Sequence, residues 1–259
     1  MEPIAESASE RAGRGPTPAL PTPFYRDAGI AIYQGDCRDI LPSLPSESVD
    51  FTCTDAPYGV AYRGRFDRKR APIAGDEDLS WVEPVYRDVY RVMRPDTLAV
   101  FFYGWPHAET FLAAWKRVGF RPVSHLCFVK NMPGLGRFTR NRHETAFLVA
   151  KGHPAPPQKA IADTIEWQRE DDAFHPNQKP LAVITQLLAV YAPEGGLVLD
   201  PFLGSGTTLR AAKDLGLSAI GVEIEKEYCE RAARRLAQGV LPLWPLKAAK
   251  TVEADLFGE

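Results

Sequence analysis

Short apolar runs alternate along this chain with stretches whose apolar residues recur every three or four positions, which predicts strands and helices in turn. Ile30 to Tyr33 reads as a strand ending in Gln34-Gly35-Asp36, and Arg38 to Leu41 as a short helix. Val49 to Thr54 is the next strand and runs into Asp55. Trp81, Val85, Val89 and Val92 are spaced for one apolar helix face; Arg94-Pro95-Asp96 ends that helix, and Leu98 to Tyr103 is a buried strand. Pro106 to Val118 predicts a helix with Phe111, Leu112 and Trp115 inward, and Val123 to Val129 with Glu144 to Ala150 a strand pair. Further on come a helix over Pro180 to Tyr191, a strand over Gly196 to Asp200 and a helix over Thr207 to Leu215. A strand over Ser218 to Ile224 and an amphipathic helix over Lys226 to Gln238 close the series. This order predicts an α/β fold: a doubly wound, mostly parallel sheet with one antiparallel edge strand.

The pattern lapses in four places. Residues 1–23 are rich in Pro, Ala, Ser and Glu and nearly free of bulky apolar residues, so they are expected to form a disordered arm. Tyr62 to Asp78, dominated by Gly, Arg, Lys and Asp, reads as a mobile loop. Residues 151–172 are aperiodic and read as a surface connection, and 240–259 as a tail without helical patterning. What remains is one domain over 24–239, with halves 24–150 and 173–239 on either side of that connection.

At 259 residues and 45% hydrophobic, the chain can bury a full core. A net charge of −2 gives no global attraction to nucleic acid, so phosphate contacts would have to come from local clusters. The four cysteines show no metal-ligand spacing and read as small buried hydrophobes of a reducing cytoplasm. No leader and no run near ~18 apolar residues is visible, so a cytoplasmic protein without a membrane span is expected.

Two strings stand at predicted strand ends, where open α/β sheets bind their ligands. One is Thr54-Asp55-Ala56-Pro57-Tyr58-Gly59; the other is Leu199-Asp200-Pro201-Phe202-Leu203-Gly204-Ser205-Gly206-Thr207-Thr208. Gly204 and Gly206 permit a tight turn and close backbone approach, and a helix starting near Thr207 turns its free amides toward an anion. Such loops also occur in nicotinamide enzymes. Glu223 ends the next strand, 23 residues after Asp200, where nucleotide-binding folds place an acid for ribose hydroxyls. Asp-x-Pro by itself also reads as a turn, and Asp36 as a helix N-cap.

The two strings and their order resemble the amino-methyltransferases of DNA, in particular the circularly permuted beta class. Asp55-Ala56-Pro57-Tyr58 is similar to that family's Asp-Pro-Pro-Tyr catalytic motif, with Ala56 replacing a proline, and the 200–208 string to its cofactor loop. The resemblance runs from about Tyr33 to about Leu236. It implies S-adenosylmethionine as cofactor and no metal. It further implies that Asp55 and the Ala56 carbonyl accept the two N–H groups of a base amine, Pro57 shapes the loop and Tyr58 stacks on a flipped base. On the same resemblance Asp200 pairs with the methionine ammonium, Glu223 holds the ribose, and Asp36 accepts from the adenine amino group. Cys37, Phe202, Gly204, Ser205, Gly206 and Thr207 complete the expected cofactor wall, and Asp55 is expected to touch the cofactor as well as the base. His175-Pro176-Asn177-Gln178-Lys179-Pro180 resembles the family string before the flanking helix, with Lys179 or Gln178 reaching the methionine end; it also reads as a proline-initiated helix start. Asp at the first motif position points to adenine N6 before cytosine N4. A catalytically silent nucleic-acid-binding protein, or a methyltransferase for RNA or protein, are the rival readings.

Double-stranded DNA is the expected partner. Arg63, Arg65, Arg68, Lys69 and Arg70 follow the catalytic loop with only Asp67 against them, and Lys130, Arg137, Arg140 and Arg142 form a second basic stretch. Either stretch alone reads as a solvated charge run; beside a catalytic crevice both suit phosphate positioning. The 151–172 connection is short for a recognition insert, which leaves small loops or a homodimer partner for that task. The tail string Glu253-Ala254-Asp255-Leu256-Phe257-Gly258 resembles short peptides by which bacterial proteins dock on the replication sliding clamp.

Overall fold

Residues 19–59, 78–131, 138–167 and 179–239 are described in the computed structural model of the chain. Their strands are β1 (Tyr25–Asp27), β2 (Ile30–Gln34), β3 (Val49–Asp55), β4 (Met93–Tyr103), β5 (Arg121–Lys130), β6 (His143–Lys151), β7 (Thr164–Trp167), β8 (Leu197–Asp200) and β9 (Ser218–Glu223). The helices are α1 (Cys37–Ile40), α2 (Val82–Val92), α3 (Ala108–Val118), α4 (Leu181–Tyr191), α5 (Thr207–Asp214) and α6 (Lys226–Ala237). One sheet holds all nine strands in the order β1-β2-β9-β8-β3-β4-β6-β5-β7.

The two-residue period of the strands separates two cores. Ala99, Phe101 and Tyr103 of β4 pack in one cluster with Val85 and Val89 of α2 and with Phe111 and Trp115 of α3. The alternate residues Leu98, Val100 and Phe102 join the other, with Val183 and Leu187 of α4 and Leu209 of α5. Each fully buried side chain of this size stabilises the fold by about 1.5–3 kcal/mol, so both helical layers are firmly held. No helix of the described residues is long and apolar enough to cross a membrane.

The expected mostly parallel sheet is present, with one amendment. Two strands, not one, run against the others: β1 at an edge, and β6 in the interior between β4 and β5. Strand β1 pairs with β2 through a two-residue turn in which Ala28 and Gly29 both have positive φ (37° and 83°). That is the hairpin turn whose twist matches its strands. The 151–172 segment is likewise more than a connection. Strand β7 lies in it and pairs parallel with β5, burying Ile165 and Trp167. Of the arm, loop and tail expectations, residues 1–18, 60–77 and 240–259 lie outside the described residues.

Strands β2, β9, β8, β3 and β4 run parallel. From β8 the chain passes through α5 to β9 on one side; from β3 it passes through α2 to β4 on the other. Connections that diverge from neighbouring strands leave a crevice at their C-terminal ends. Asp55 and Asp200 are the last residues of those two strands.

Candidate active site

The two strand ends are joined. Thr54 Oγ1 donates to Asp200 Oδ1 at 2.8 Å across 146 positions of sequence, and the Phe202 amide donates to the same oxygen at 3.1 Å. Asp200 is 3% exposed. Burial pushes its carboxyl up to about 6, although bonds from Thr208, Thr54 and Phe202 work against that rise. Among the described residues no cation pairs with it. Asp55 and Asp200 face one open cavity of about 910 Å³, which Asp36, Trp81, Lys179 and Glu223 also line.

The glycine loop wraps around Glu223. The Gly204 amide, in a left-handed conformation at φ 53°, donates to Glu223 Oε2 at 2.8 Å, and the Glu225 amide donates to Oε1 at 2.8 Å. Burial raises the Glu223 carboxyl, against those amide bonds. Ser205 and Thr207 also line the cavity, and Thr207 Oγ1 accepts from Arg235 Nη1 at 2.9 Å. A Cβ at Gly206 would stand 2.7 Å from Ala232 Cβ, so this glycine (φ 83°) also lets α5 pack against α6. Phe202 is on the wall, its ring 5.1 Å from that of Trp81.

Asp36 caps the first helix and lines the cavity. Its Oδ1 accepts from the Arg38 amide at 2.8 Å, capping α1, and its carboxylate also grips the Arg38 guanidinium while facing the cavity. The Arg38 bond holds this carboxyl below its usual range. Cys37 beside it is buried, and burial pushes its thiol up to about 12, so it contributes a neutral wall.

Around Asp55 the side chains are held by charge. The Lys179 ammonium stands on the catalytic loop, 2.6 Å from Asp55 Oδ2 and 3.2 Å from the Tyr58 hydroxyl. Tyr58 donates its hydroxyl to Asp55 Oδ1. Burial drives the Tyr58 phenol well above its usual range, with the Asp55 charge adding to the rise. Ala56 is buried and Pro57 lines the cavity. Close fit explains Gly104, the residue after β4: a Cβ there would stand 2.7 Å from Tyr58 Cβ.

Four further side chains belong to this half and carry no motif. Glu144 on β6 stands 2.9 Å from Lys179 through Oε2, an ion pair rather than an aligned hydrogen bond, and 2.5 Å from Lys130 through Oε1. Trp167 of β7 lies under both ammonium groups, 5.0 Å from Lys130 and 5.7 Å from Lys179. Trp81 walls the cavity from the start of α2, and Trp105 projects at the rim, 75% exposed. Only Trp81 had a sequence signal, its position on an apolar helix face.

The expected DNA contacts divide. Lys130 is committed to Glu144. Arg140 and Arg142 are exposed and flank Asn141, which lines the cavity with His143. Arg63, Arg65, Arg68, Lys69, Arg70, Arg137, residues 175–178 and the 253–258 string lie outside the described residues.

The sequence profile of the N6/N4 DNA methylase family matches residues 49–234. YubD of Escherichia coli (strain K12), provisionally named a methylase, is 40% identical over 204 residues, covering 79% of this chain and 88% of its own. The type II methyltransferase M.BglII of Bacillus subtilis is 26% identical over 267 residues, covering 84% and 72%. Among solved structures, the M1.HpyAVI–SAM complex superposes with a TM-score of 0.64 at 24% identity, covering 81% of this chain and 100% of that one. The cytosine-N4-specific PvuII DNA methyltransferase gives a TM-score of 0.71 at 17% identity, covering 85% and 90%. Both share the fold. With Asp55 and Asp200 on adjacent strand ends, and with a family match over most of its length, the chain belongs to the DNA methylase family, S-adenosylmethionine-dependent enzymes that methylate amino groups of DNA bases.

Proposed function

We propose that this enzyme methylates the N6 amino group of an adenine turned out of double-stranded DNA. The observation that supports methyl transfer is the hydrogen-bonded link from the β3 end to the β8 end through Thr54, with Asp55 and Asp200 in one cavity; Asp55 at the first motif position is what favours adenine over cytosine. The buried Asp200 carboxylate, without a cationic partner among the described residues, suits the methionine ammonium of the cofactor. Glu223 suits the ribose hydroxyls, Asp36 the adenine amino group, and the amides that open α5 the methionine carboxylate. Asp200 and Glu223 already accept protein bonds but keep lone pairs for a ligand, since an ionised carboxylate offers about four. The Asp36 oxygens accept four contacts from Arg38, so part of that grip would give way to the adenine amino group. S-adenosylmethionine, when bound, supplies an electrophilic methyl group on a good leaving group.

An exocyclic amine is a poor nucleophile because its lone pair is delocalised into the ring. Asp55 accepts a hydrogen bond from one N–H and the Ala56 carbonyl from the other, which draws the nitrogen toward tetrahedral geometry. Both acceptors also stabilise the positive charge that develops there, so the loop acts by preorganised electrostatics and orientation. Asp55 lies inside the cavity, and a base in a duplex cannot reach it, so the target leaves the stack and meets the Tyr58 ring. Arg140 and Arg142 beside the mouth suit phosphate contacts, together with the 62–70 cluster that follows the loop.

The test incubates the protein with methyl-labelled S-adenosylmethionine and unmethylated bacterial DNA, then digests the DNA and identifies the labelled nucleoside. N6-methyladenine is the expected product. N4-methylcytosine would keep the mechanism and overturn the target; cofactor binding without label in DNA would favour another substrate.

A further inference from the structure

The Lys179 ammonium poses an electrostatic problem for the reaction proposed above. Its side chain is only 6% exposed and stands 2.6 Å from Asp55 Oδ2. A buried cation there weakens Asp55 as an acceptor for the target N–H. It also opposes the positive charge that methyl transfer places on the nitrogen bound to Asp55. Water is poorly placed to screen it, because Phe102 and Trp167 cover the ammonium at 5.0 and 5.7 Å from their ring centres.

Glu144 offsets that cation. Its Oε2 lies 2.9 Å from Lys179, and its Oε1 is anchored by Lys130 at 2.5 Å. The result is an alternating row, Asp55, Lys179, Glu144, Lys130, with two charges of each sign. Burial pushes the Glu144 carboxyl up, but the Lys179 and Lys130 ammonium groups outweigh burial and hold it ionised. The strand pairing fixes this row: Glu144 is opposite Phe128 across β5 and β6, and Lys130 is opposite Trp167 across β5 and β7. Lys179 arrives separately, as the residue before the Pro180 N-cap of α4.

We infer that Glu144 is a positioning residue for methyl transfer, holding Lys179 between two carboxylates so that Asp55 keeps its strength as an acceptor. This rests on the methyl-transfer reading above. It assigns Lys130 to the support of Glu144, and β7 to the roof over the row.

The experiment measures single-turnover methylation of DNA, DNA dissociation and cofactor dissociation for wild type, Glu144→Gln, Glu144→Asp and the double variant Glu144→Gln/Lys179→Met. For Glu144→Gln the rate is expected to fall on the order of tenfold or more, with both dissociation constants within a few-fold of wild type. The double variant removes the cation as well as its counter-charge, so it is expected to be faster than Glu144→Gln alone. A role in fold stability only would leave the single-turnover rate of the folded enzyme unchanged. An unchanged rate in Glu144→Gln, a loss confined to cofactor affinity, or a double variant no faster than the single one would each overturn the inference. Should Glu144→Gln not fold, Glu144→Asp carries the test: it keeps the charge at a shorter reach, a smaller loss of the same kind is expected, and a wild-type rate would overturn it. Absence of any methyl transfer by wild type would instead count against the methyl-transfer reading itself.

Discussion

The two halves of the cavity are assembled by different means. In the cofactor half, Glu223 is held by nearby backbone, the amides of Gly204 and Glu225, and Asp200 by the Phe202 amide together with the Thr54 hydroxyl from the end of β3. In the chemistry half, Asp55 is held by charge brought from far away, Lys179 lying 124 positions on and leading to Glu144 on an antiparallel strand. Backbone amides are fixed once the fold forms, and they cannot be removed by changing a side chain. A row of side-chain charges can be broken at every member. The surroundings of Glu223 should therefore tolerate substitution, while the chemistry half should respond to distant changes.

The largest effects should separate the halves completely. Asp55→Ala removes an acceptor that acts mainly as positive charge develops, so the methylation rate is expected to fall at least ~10²–10³-fold. Cofactor affinity should remain close to wild type. Asp200→Ala removes the buried carboxylate proposed to pair with an ammonium, and a buried pair lost in this way costs about 2–5 kcal/mol, more than ~30-fold in affinity. Equilibrium titration of the cofactor beside single-turnover rates checks the pair. Equal losses of cofactor affinity in both variants would mean that the halves are one coupled unit.

This contrast also governs what could be read from sequence. Asp200, Phe202, Gly204 and Ser205 could be singled out because a ligand-binding turn needs its glycines and its acid contiguous along the chain, and Glu223 because it ends the next strand. The strands and helices were legible because each buries one face, and its period records which. Gly206 was recognised as part of the loop, yet its contact is Ala232, a helix-packing requirement that no motif encodes. The contacts of Lys179 were not legible for a similar reason. Its neighbours Asp55 and Glu144 come from two other strands, and a lysine before a proline records nothing about either. Strand β7 escaped because four residues with two buried positions are too short to establish a period, and β1 because it is three residues long.

A smaller effect concerns pH and should appear in the cofactor half alone. Burial raises Asp200 to about 6, so in the free protein it is ionised above that pH and carries a proton below it. An ammonium partner binds the ionised form, and the proton must leave first. Cofactor affinity is thus expected to be flat from pH ~6 to about 7.5, where the cofactor's own α-amino group begins to lose its proton, and to fall toward tenfold per unit as pH drops below ~6. In Asp200→Asn this slope should vanish while the remaining affinity is low throughout. A slope that persists in that variant would assign it to another acid, with Glu223 the next in line because burial raises it as well.

The smallest effects belong to the rim, where the two halves meet solvent and the contrast can be sharpened by salt. Arg140 and Arg142 are exposed beside the mouth, whereas the Lys130 ammonium is spent on Glu144 at 2.5 Å. A side chain that neutralises a phosphate releases counterions, and each such contact contributes about 0.9 to the slope of log affinity against log salt. Arg140→Ala and Arg142→Ala are each expected to weaken DNA binding a few-fold at moderate salt and to reduce that slope by about 1. Lys130→Ala should leave the slope where it is, because its charge already faces a carboxylate, and should lower the methylation rate instead by releasing Glu144. Sequence alone groups these three residues as one basic stretch. Their different responses to salt would show that one of them belongs to the chemistry half rather than to the DNA face.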